Sequence, residues 1–290
     1  MLAVIGGWKA RLAPTQALAS VAFIGEVPEA PGPALVVSTL AGHLLPPDYA
    51  DGQGPAARFR LMGPMATDRQ DNLYLGDGQA VRKITPAGFV ITLAGAPPTS
   101  QLLLNTAIYV FRDSDGPRDG RGAAAQISPP RGLAVAPDGT VYFSESNTIR
   151  RISPQGDVTT WAGNPGYDPG GHRDGPAAQA LFNNPTGLIL DARGNVYVAD
   201  MSNYVIRKIT PVGLVSTLAG QVREYGGADG VGPAARFDNS SALAVAPDGA
   251  LLVADNGNSC IRRVGLDGTV TTWVGTPPAT PGPVRGRGPG

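Results

Sequence analysis

The chain has 290 residues, and its 23 basic and 23 acidic side chains give a formal net charge of zero at pH 7. Charged residues make up only 16 % of the sequence, which argues against a nucleic-acid surface, because such binding depends on many cations that neutralise phosphates. The 40 glycines and 28 prolines predict many tight turns, and the single cysteine, Cys260, excludes a disulfide within the chain. No segment approaches the roughly 18 apolar residues of a membrane span, so no transmembrane segment is expected.

The first 33 residues carry the weakest pattern. Leu2–Ile5 and Leu18–Ile24 can each form a strand, and Glu26–Pro33 is rich in proline and predicts a turn or linker. The basic and apolar pieces of this segment come in the wrong order for a secretory signal. A mature N-terminus, a misassigned start and a processed precursor all remain open as interpretations.

From residue 34 onward one pattern recurs, in which short apolar segments alternate with turns. A lone last segment, ALVVSTLAG, stands at Ala34–Gly42, and a weak copy of the whole pattern follows at Met65–Gly95. Fuller copies run over Arg131–Gly163, Asn183–Gly220 and Ser241–Gly275. The clearest copy predicts four strands, Gly187–Leu190, Val196–Ala199, Val205–Ile209 and Leu214–Ala219.

Each copy ends on a glycine, and these glycines give the period of the repeat. By subtraction of residue numbers, Gly42, Gly95, Gly163, Gly220 and Gly275 are 53, 68, 57 and 55 residues apart. A repeat of this length with four strands predicts sheets arranged around an axis, because a single four-stranded meander has too little core to fold alone. The predicted fold is therefore all-β, a β-propeller of four-stranded antiparallel blades.

The repeat resembles the NHL repeat of bacterial NHL-repeat proteins. The shared pattern is P-x-G-[LI]-x-[LV]-x-x-x-G-x-[VL]-[YL]-V-A-D-x-x-N-x-x-I-R-[KR]-[IV], clearest at Pro185–Ile209 and Ser241–Val264 and weaker at Pro130–Ile152 and Pro64–Ile84. The linkers between repeats, such as ADGVGPAARF at Ala228–Phe237, resemble those of the same family. The resemblance implies a propeller over residues 34–275, but it says little about function, because this fold is mainly a scaffold for binding surfaces.

The resemblance also frames the number of blades and the domain limits. Family members commonly have six blades, whereas the repeats here favour about five, with six as the alternative and four as the remaining interpretation. Residues 1–33 are then an N-terminal extension or degenerate strands of a first blade, and residues 34–275 are the propeller. Residues 276–290 are a tail rich in proline and glycine, which is expected to be disordered or to lie extended against another surface.

One linker is longer than the others and contains an apolar stretch, QLLLNTAIYVF at Gln101–Phe111. It either packs on the ring as an extra strand or helical turn, or it projects and binds a partner, since exposed apolar patches mark interfaces. The partner-binding hypothesis names six residues, which are Leu102, Leu103, Leu104, Ile108, Tyr109 and Phe111.

An acidic residue ends the second strand of each copy, and an arginine follows in the third strand after five or seven positions. This spacing places the two side chains on adjacent antiparallel strands, where a carboxylate and a guanidinium form paired hydrogen bonds. The preferred interpretation is structural, and the alternative is a ring of acids that binds a cation. The pairs are Asp77 with Arg82, Glu145 with Arg150, Asp200 with Arg207 and Asp255 with Arg262.

Asp-Gly pairs recur in the linkers and predict tight turns, with calcium coordination as the alternative. They begin at Asp51, Asp119, Asp174 and Asp229. The aromatic residues that follow, Phe59, Phe182 and Phe237, are expected to fill the space between neighbouring blades, with Ile127 in the odd copy.

The sequence favours a binding protein over an enzyme. Only two histidines occur, His43 and His172, so one chain does not supply a three-histidine zinc site. The leading hypothesis is a non-catalytic interaction platform that binds a protein partner or the subunits of a larger assembly, without a cofactor, in an extracytoplasmic location. A metal-dependent propeller lactonase or lyase is one alternative. A carbohydrate-binding propeller is the other, because Trp161 and Trp273 hold matched positions and tryptophan stacks on sugars.

Overall fold

The computed structural model describes residues 10–11, 22–23, 38–42, 49–96, 99–103, 106–110, 116–165 and 170–277. The chain divides into two compact units, Met1–Thr39 and Leu40–Gly290. In the first unit, β1 (Ala10–Arg11) pairs antiparallel with β2 (Ala22–Phe23), with Ala10 opposite Phe23. The second unit contains the repeats.

Four five-stranded antiparallel sheets form the blades in the described part of the second unit. Blade 1 comprises β3 (Gly52–Gln53), β4 (Met62–Thr67), β5 (Leu73–Asp77), β6 (Ala80–Ile84) and β7 (Phe89–Gly95). The linker hairpin consists of β8 (Thr99–Leu103) and β9 (Thr106–Val110). Blade 2 comprises β10 (Gly120–Arg121), β11 (Gly132–Val135), β12 (Val141–Glu145), β13 (Thr148–Ile152) and β14 (Asp157–Gly163). Blade 3 comprises β15 (Gly175–Pro176), β16 (Pro185–Leu190), β17 (Val196–Asp200), β18 (Val205–Ile209) and β19 (Leu214–Ala219). Blade 4 comprises β20 (Gly230–Val231), β21 (Ser240–Val245), β22 (Leu251–Asp255), β23 (Cys260–Val264) and β24 (Thr269–Val274).

Short 3-10 helices complete the described elements. Four of them lie in the linkers, at Gly54–Ala56, Gly122–Ala124, Ala177–Gln179 and Gly232–Ala234. Two more lie between the second and third long strands of the last two blades, at Met201–Asn203 and Asn256–Asn258. None of the helices in the described residues is long and apolar enough to span a membrane.

The all-β propeller predicted from the repeats is confirmed, but the predicted strand and blade numbers are wrong for the described residues. Each blade has a fifth strand because the glycine of the linker Asp-Gly pair and the residue after it pair with the outermost long strand, as where Gly175 pairs with Val215. The described blades number four. Of the predicted strand Ala34–Gly42, only residues 38–42 lie in the described part of the chain, and they belong to none of its sheets.

The turn between the first two long strands of a blade is fixed by a single aspartate. In blade 3, Asp191 accepts hydrogen bonds from the backbone N–H groups of Arg193 and Asn195, at 2.8 and 2.9 Å. Its second oxygen accepts from the Asn195 amide at 2.7 Å and from the Tyr197 hydroxyl at 3.2 Å. Burial and the Asp191 charge raise the pKa of Tyr197 to about 12, so the hydroxyl stays a donor.

The glycine that ends each repeat is required by a close approach of the backbone. Gly220 has a φ of +97°, and a Cβ atom there would lie 2.5 Å from the carbonyl oxygen of Tyr204. Both the positive φ and the lack of space exclude other residues without strain. The recurrence of a glycine at the end of each repeat therefore reflects the geometry of the outer strand.

Consecutive blades bury apolar cores between them, and we call the side of a blade that packs on the following blade its back face. Between blades 3 and 4 the back-face residues Tyr197, Ala199, Ile206 and Ala219 meet Phe237 of the linker and the strands of blade 4. Phe182 and Ile127 hold the same place in the two preceding junctions. The expectation that linker residues fill the space between blades is thus met at these three positions.

Candidate functional site

A fully buried arginine lies at the centre of each blade, and blade 3 shows the arrangement, which we call the arginine clamp. Arg207 donates from Nη1 to Asp200 at 2.7 Å and to the Leu181 carbonyl at 3.0 Å. It donates from Nη2 to Asp174 at 2.7 Å and to the Arg173 carbonyl at 2.9 Å. One guanidinium thereby joins strand β17, strand β18 and the linker that enters the blade.

The other three clamps repeat this geometry with small changes. Arg82 contacts Asp77 and Asp51, both at 2.9 Å. Arg262 contacts Asp255 at 3.1 Å and Asp229 at 2.7 Å. In blade 2, Arg150 pairs with Glu145 and lies 3.0 Å from Asp119. The structure therefore brings together each of the four sequence-predicted acid–arginine pairs.

The linker aspartate is the member of the clamp that the sequence interpretation missed. Asp174 accepts not only from Arg207 but also from the backbone N–H of Thr217 at 3.0 Å, and so binds the linker to the outer strand. The equivalent contact of Asp51 with the Thr92 N–H measures 2.8 Å. The signal is present in the sequence, because the Asp-Gly pair and the threonine recur in register, but the pair predicts a tight turn or a calcium ligand and not a contact with the arginine.

Burial dominates the electrostatics of the second-strand acids. It raises the pKa of Glu145 to about 7 and that of Asp200 to about 6, although the paired arginines oppose the shift. Burial raises the pKa of Asp255 as well. These carboxylates and their arginines are fully buried, whereas the linker aspartates of the clamps are 43 to 50 % exposed, so each clamp reaches from the interior of the blade to its surface.

An axial cavity of about 580 Å³ lies between the inner strands β4, β11, β16 and β21. Most of its lining is apolar, and Thr67, Arg131 and Ser241 supply polar groups. The inner strands approach closely, since a Cβ atom at Gly187 would lie 2.6 Å from the Ser241 carbonyl oxygen. The volume is in the range of small-ligand sites.

The apolar stretch in the long linker forms the linker hairpin. Leu102 and Leu103 lie on β8, and Ile108 and Tyr109 lie on β9. The register pairs Leu102 with Ala107 and Ser100 with Tyr109. Two residues of the predicted partner-binding set, Leu104 and Phe111, lie outside the described residues.

Of the residues considered for metal or sugar binding, the structure describes His172, Trp161 and Trp273. His172 contacts the Thr217 hydroxyl at 2.8 Å, and His43 lies outside the described residues. Trp161 packs on Tyr142 with a centroid distance of 4.9 Å, whereas Trp273 is exposed. Within the described part of the chain, no three His, Cys, Asp or Glu side chains cluster in a way that could hold a metal ion.

The chain is similar to parts of much larger proteins. Teneurin-3 of Mus musculus is 28 % identical over 260 residues, which cover 79 % of this chain and 9 % of teneurin-3. Protein SUPPRESSOR OF QUENCHING 1, chloroplastic, of Arabidopsis thaliana is 31 % identical over 178 residues, which cover 57 % of this chain and 17 % of that protein. The chain thus spans less than a fifth of the length of these curated relatives, and no family model matches it.

Among solved structures, a streptogramin B lyase aligns with a TM-score of 0.46 and 13 % sequence identity. The alignment covers 73 % of this chain and 54 % of the lyase chain. At this level the two share a remote likeness, and the propeller assignment rests on the sheet order of the chain itself.

Proposed function

We propose that this chain is an NHL-type β-propeller that serves as a rigid platform for a protein partner, which it contacts through the linker hairpin, β8 and β9. The observation that carries the proposal is the hairpin itself. In the described residues it forms a two-stranded sheet of its own, separate from the four blades.

The length of the linker supports this role. From the closing glycine of one repeat to the next linker aspartate, the intervals are 9, 24, 11 and 9 residues by subtraction, and the long one holds the hairpin. The other linkers cross between blades without such an insertion, so blade packing alone does not require it. A function outside the ring accounts for the additional residues.

The physics of small sheets points in the same direction. A two-stranded hairpin is marginally stable in water, and its outer edges present unpaired backbone groups. A partner that adds a strand, or covers the apolar side chains of Leu102 and Tyr109, stabilises it. The arginine clamp of blade 2 anchors the end of this linker, because Arg150 lies 3.0 Å from Asp119, so the hairpin is attached to a blade through a fixed segment.

The test is affinity capture with the full chain, followed by binding measurements with the purified partner. The parent is compared with a Leu102→Asp/Tyr109→Asp variant and with a control, Val212→Asp, at an exposed turn of blade 3. We expect saturable binding that the hairpin variant weakens at least tenfold and the control leaves unchanged. Equal binding by all three proteins would place the contact elsewhere and overturn the proposal.

A small ligand in the axial cavity is the second candidate, favoured by the volume of about 580 Å³ and by Arg131 at its lining. The measurement is thermal unfolding of the chain against a ligand library, repeated with Arg131→Ala. A ligand that raises the Tm of the parent, and not of the variant, is the expected result. A rise that the substitution leaves intact would exclude this cavity as the site.

A further inference from the structure

The repeats align the four inner strands that line the axial cavity. Equivalent residues pair with the position two residues before the clamp acid of the second long strand, and they are Met65, Leu133, Leu188 and Leu243. Two positions before them lie Gly63, Arg131, Thr186 and Ser241. Two positions after them lie Thr67, Val135, Leu190 and Val245. The cavity therefore has two distinguishable ends, which we call the Arg131 end and the Val135 end, and which lie about 13 Å apart at the rise of a β-strand.

Arg131 is the only charged residue among the described residues that line the cavity. It is exposed, and its guanidinium has no hydrogen-bond or ion-pair partner in the described part of the chain. Its backbone N–H donates to the Ser144 carbonyl at 2.9 Å, which fixes the start of the inner strand. The equivalent positions of the other blades hold glycine, threonine and serine, so the architecture of a blade does not require an arginine here.

A second hydrogen-bond donor lies at the Arg131 end. Ser241 lines the cavity, and its hydroxyl accepts a hydrogen bond from the Asn256 amide at 2.9 Å. Because a hydroxyl also has a proton to donate, Ser241 can donate to an acceptor in the cavity. The described lining contains no acidic side chain, so this end favours an anion. One guanidinium neutralises one charge, and its paired N–H groups match the two oxygens of a carboxylate.

Most of the remaining lining is apolar, and part of this apolar surface is open. Met65 is 62 % exposed, whereas the equivalent Leu133 and Leu188 are 6 % and 4 % exposed, because they are packed in the cores between blades. Methionine is unbranched and polarisable, and it adapts to irregular apolar surfaces. Val135 and Leu190 continue the apolar lining at the other end. This surface suits a hydrocarbon chain better than a second charged group.

We propose that the axial cavity binds a small monocarboxylate with an unbranched apolar body. Arg131 and Ser241 hold the carboxylate, and the body lies along Met65 towards the Val135 end. The inference rests on the second candidate function above, a small ligand in this cavity, and it names the chemical class of that ligand. It is independent of the linker hairpin.

The test is isothermal titration calorimetry of the full chain with octanoate, octanol and octylammonium, which share an apolar body and differ in charge. Butanoate and hexanoate vary the length of the body. Arg131→Gln removes the charge from the cavity, and Arg193→Gln removes a charge from an exposed turn of blade 3 as the matched control. Both arginines are exposed, so neither substitution should prevent folding, and urea unfolding of each variant checks this.

We expect the parent to bind octanoate at least about tenfold more tightly than octanol or octylammonium. The affinity should rise about twofold to fourfold with each methylene group from butanoate to octanoate, where fourfold corresponds to full burial. Arg131→Gln should weaken the binding of octanoate at least about tenfold, and Arg193→Gln should leave it unchanged.

The position of the ligand has its own readout. In protein labelled with 13C at the methionine methyl groups, octanoate should shift the Met65 resonance, which Met65→Leu assigns. The resonance of Met201, which is not among the lining residues, should not move. Octanoate that binds without shifting Met65 would overturn the proposal.

The other outcomes separate the ligand class from the cavity itself. Equal binding of octanol and octanoate, unaffected by Arg131→Gln, would overturn the monocarboxylate and leave the cavity as a site for uncharged apolar ligands. Tighter binding of octylammonium would likewise overturn the ligand class alone. If no carboxylate binds at millimolar concentration, the inference fails. If no member of the ligand library raises the Tm either, the second candidate function fails with it.

Discussion

Blades 2 and 3 build the same arginine clamp around turns of different length, and the comparison shows what the clamp needs. In blade 3 Arg207 follows Asp200 by seven positions, and the 3-10 helix Met201–Asn203 lies in the turn. In blade 2 Arg150 follows Glu145 by five positions, and only two residues lie between the strands. Blade 1 combines the same short spacing with an aspartate, because Arg82 follows Asp77 by five positions and contacts it at 2.9 Å, so the shorter turn accepts either acid.

The longer turn adds a hydrogen-bond donor to the clamp. Asn203 donates to Asp200 at 2.9 Å and to the Gly171 carbonyl at 2.8 Å, so it joins the turn to the incoming linker. Asn258 does the same in blade 4, at 2.8 and 2.7 Å. The constant part of the clamp is therefore one arginine between two carboxylates, and the asparagine is an addition specific to the last two blades.

Removal of the arginine has the largest expected effect. Arg207→Met leaves Asp200 buried without its counter-ion, and we expect a loss of about 3 to 5 kcal/mol in the free energy of unfolding. Urea unfolding measures it. The control is Arg263→Met, which breaks a solvent-exposed pair with Asp248 and should cost at most about 1 kcal/mol. Equal losses would mean that burial of the clamp contributes nothing.

The next largest loss of stability is expected when the acids of the two turn types are exchanged. Glu145→Asp shortens the reach to Arg150 and to the Ser128 N–H, which now lies 2.6 Å from the glutamate. Asp200→Glu forces an extra methylene into a filled site. Each should lower the free energy of unfolding by about 1 to 3 kcal/mol. Two neutral exchanges would contradict this expectation and would show that each of the two clamps tolerates either acid.

The asparagine should contribute less. Asn203→Ala removes two buried hydrogen bonds and should cost about 1 to 2 kcal/mol of unfolding free energy. Ser202→Ala, in the same turn, is the control, and an effect below about 0.5 kcal/mol is expected there. If both variants unfold at the same urea concentration, the asparagine is not part of the clamp.

The smallest effect is a difference in pH dependence. Burial places the folded-state pKa of Glu145 at about 7, above its usual value, so the folded state binds the proton more tightly. The contribution of the Glu145 carboxyl to stability is therefore complete at pH values below its pKa in the unfolded chain. It decreases as the pH rises towards 7. For Asp200 the same decrease should end near pH 6.

Unfolding free energies measured from pH 4 to 8 test this order. In the parent, the free energy of unfolding should decrease with rising pH up to about pH 7. The Glu145→Gln variant should lose the part of this decrease that extends to about pH 7, and Asp200→Asn should lose the part that ends near pH 6. Identical pH profiles for the parent and both variants would show that neither carboxylate titrates in this range in the folded protein.

The parts of the fold that could be predicted from the sequence are those that depend on short, local residue patterns about one strand long. The apolar alternation of Val205–Ile209 and the closing Gly220 predicted the strands of the blade. The spacing of Asp200 and Arg207 predicted that their side chains are in contact. The fifth strand was not predicted, because Gly175 and Pro176 show no strand pattern in the sequence. They pair with the outer strand β19 only because the linker runs beside it in the folded chain.

Tertiary context also decided the features that sequence reasoning missed. Asp174 looked like a turn residue, since its second role depends on an arginine 33 positions away. Trp161 and Trp273 hold the same repeat position, yet one packs on Tyr142 and the other is exposed, because only one has a following blade in the described residues. The position of a residue within the repeat therefore does not determine how buried its side chain is in the last described blade.

Amide hydrogen exchange on the full chain, free and bound to its purified partner, tests the central claim most directly. The account predicts rapid exchange across β8 and β9 in the free protein and at least tenfold slower exchange there in the complex. The central strands of the blades should exchange slowly in both states. Protection that appears on the blades while the linker hairpin remains unprotected would contradict the proposal that the hairpin is the binding surface.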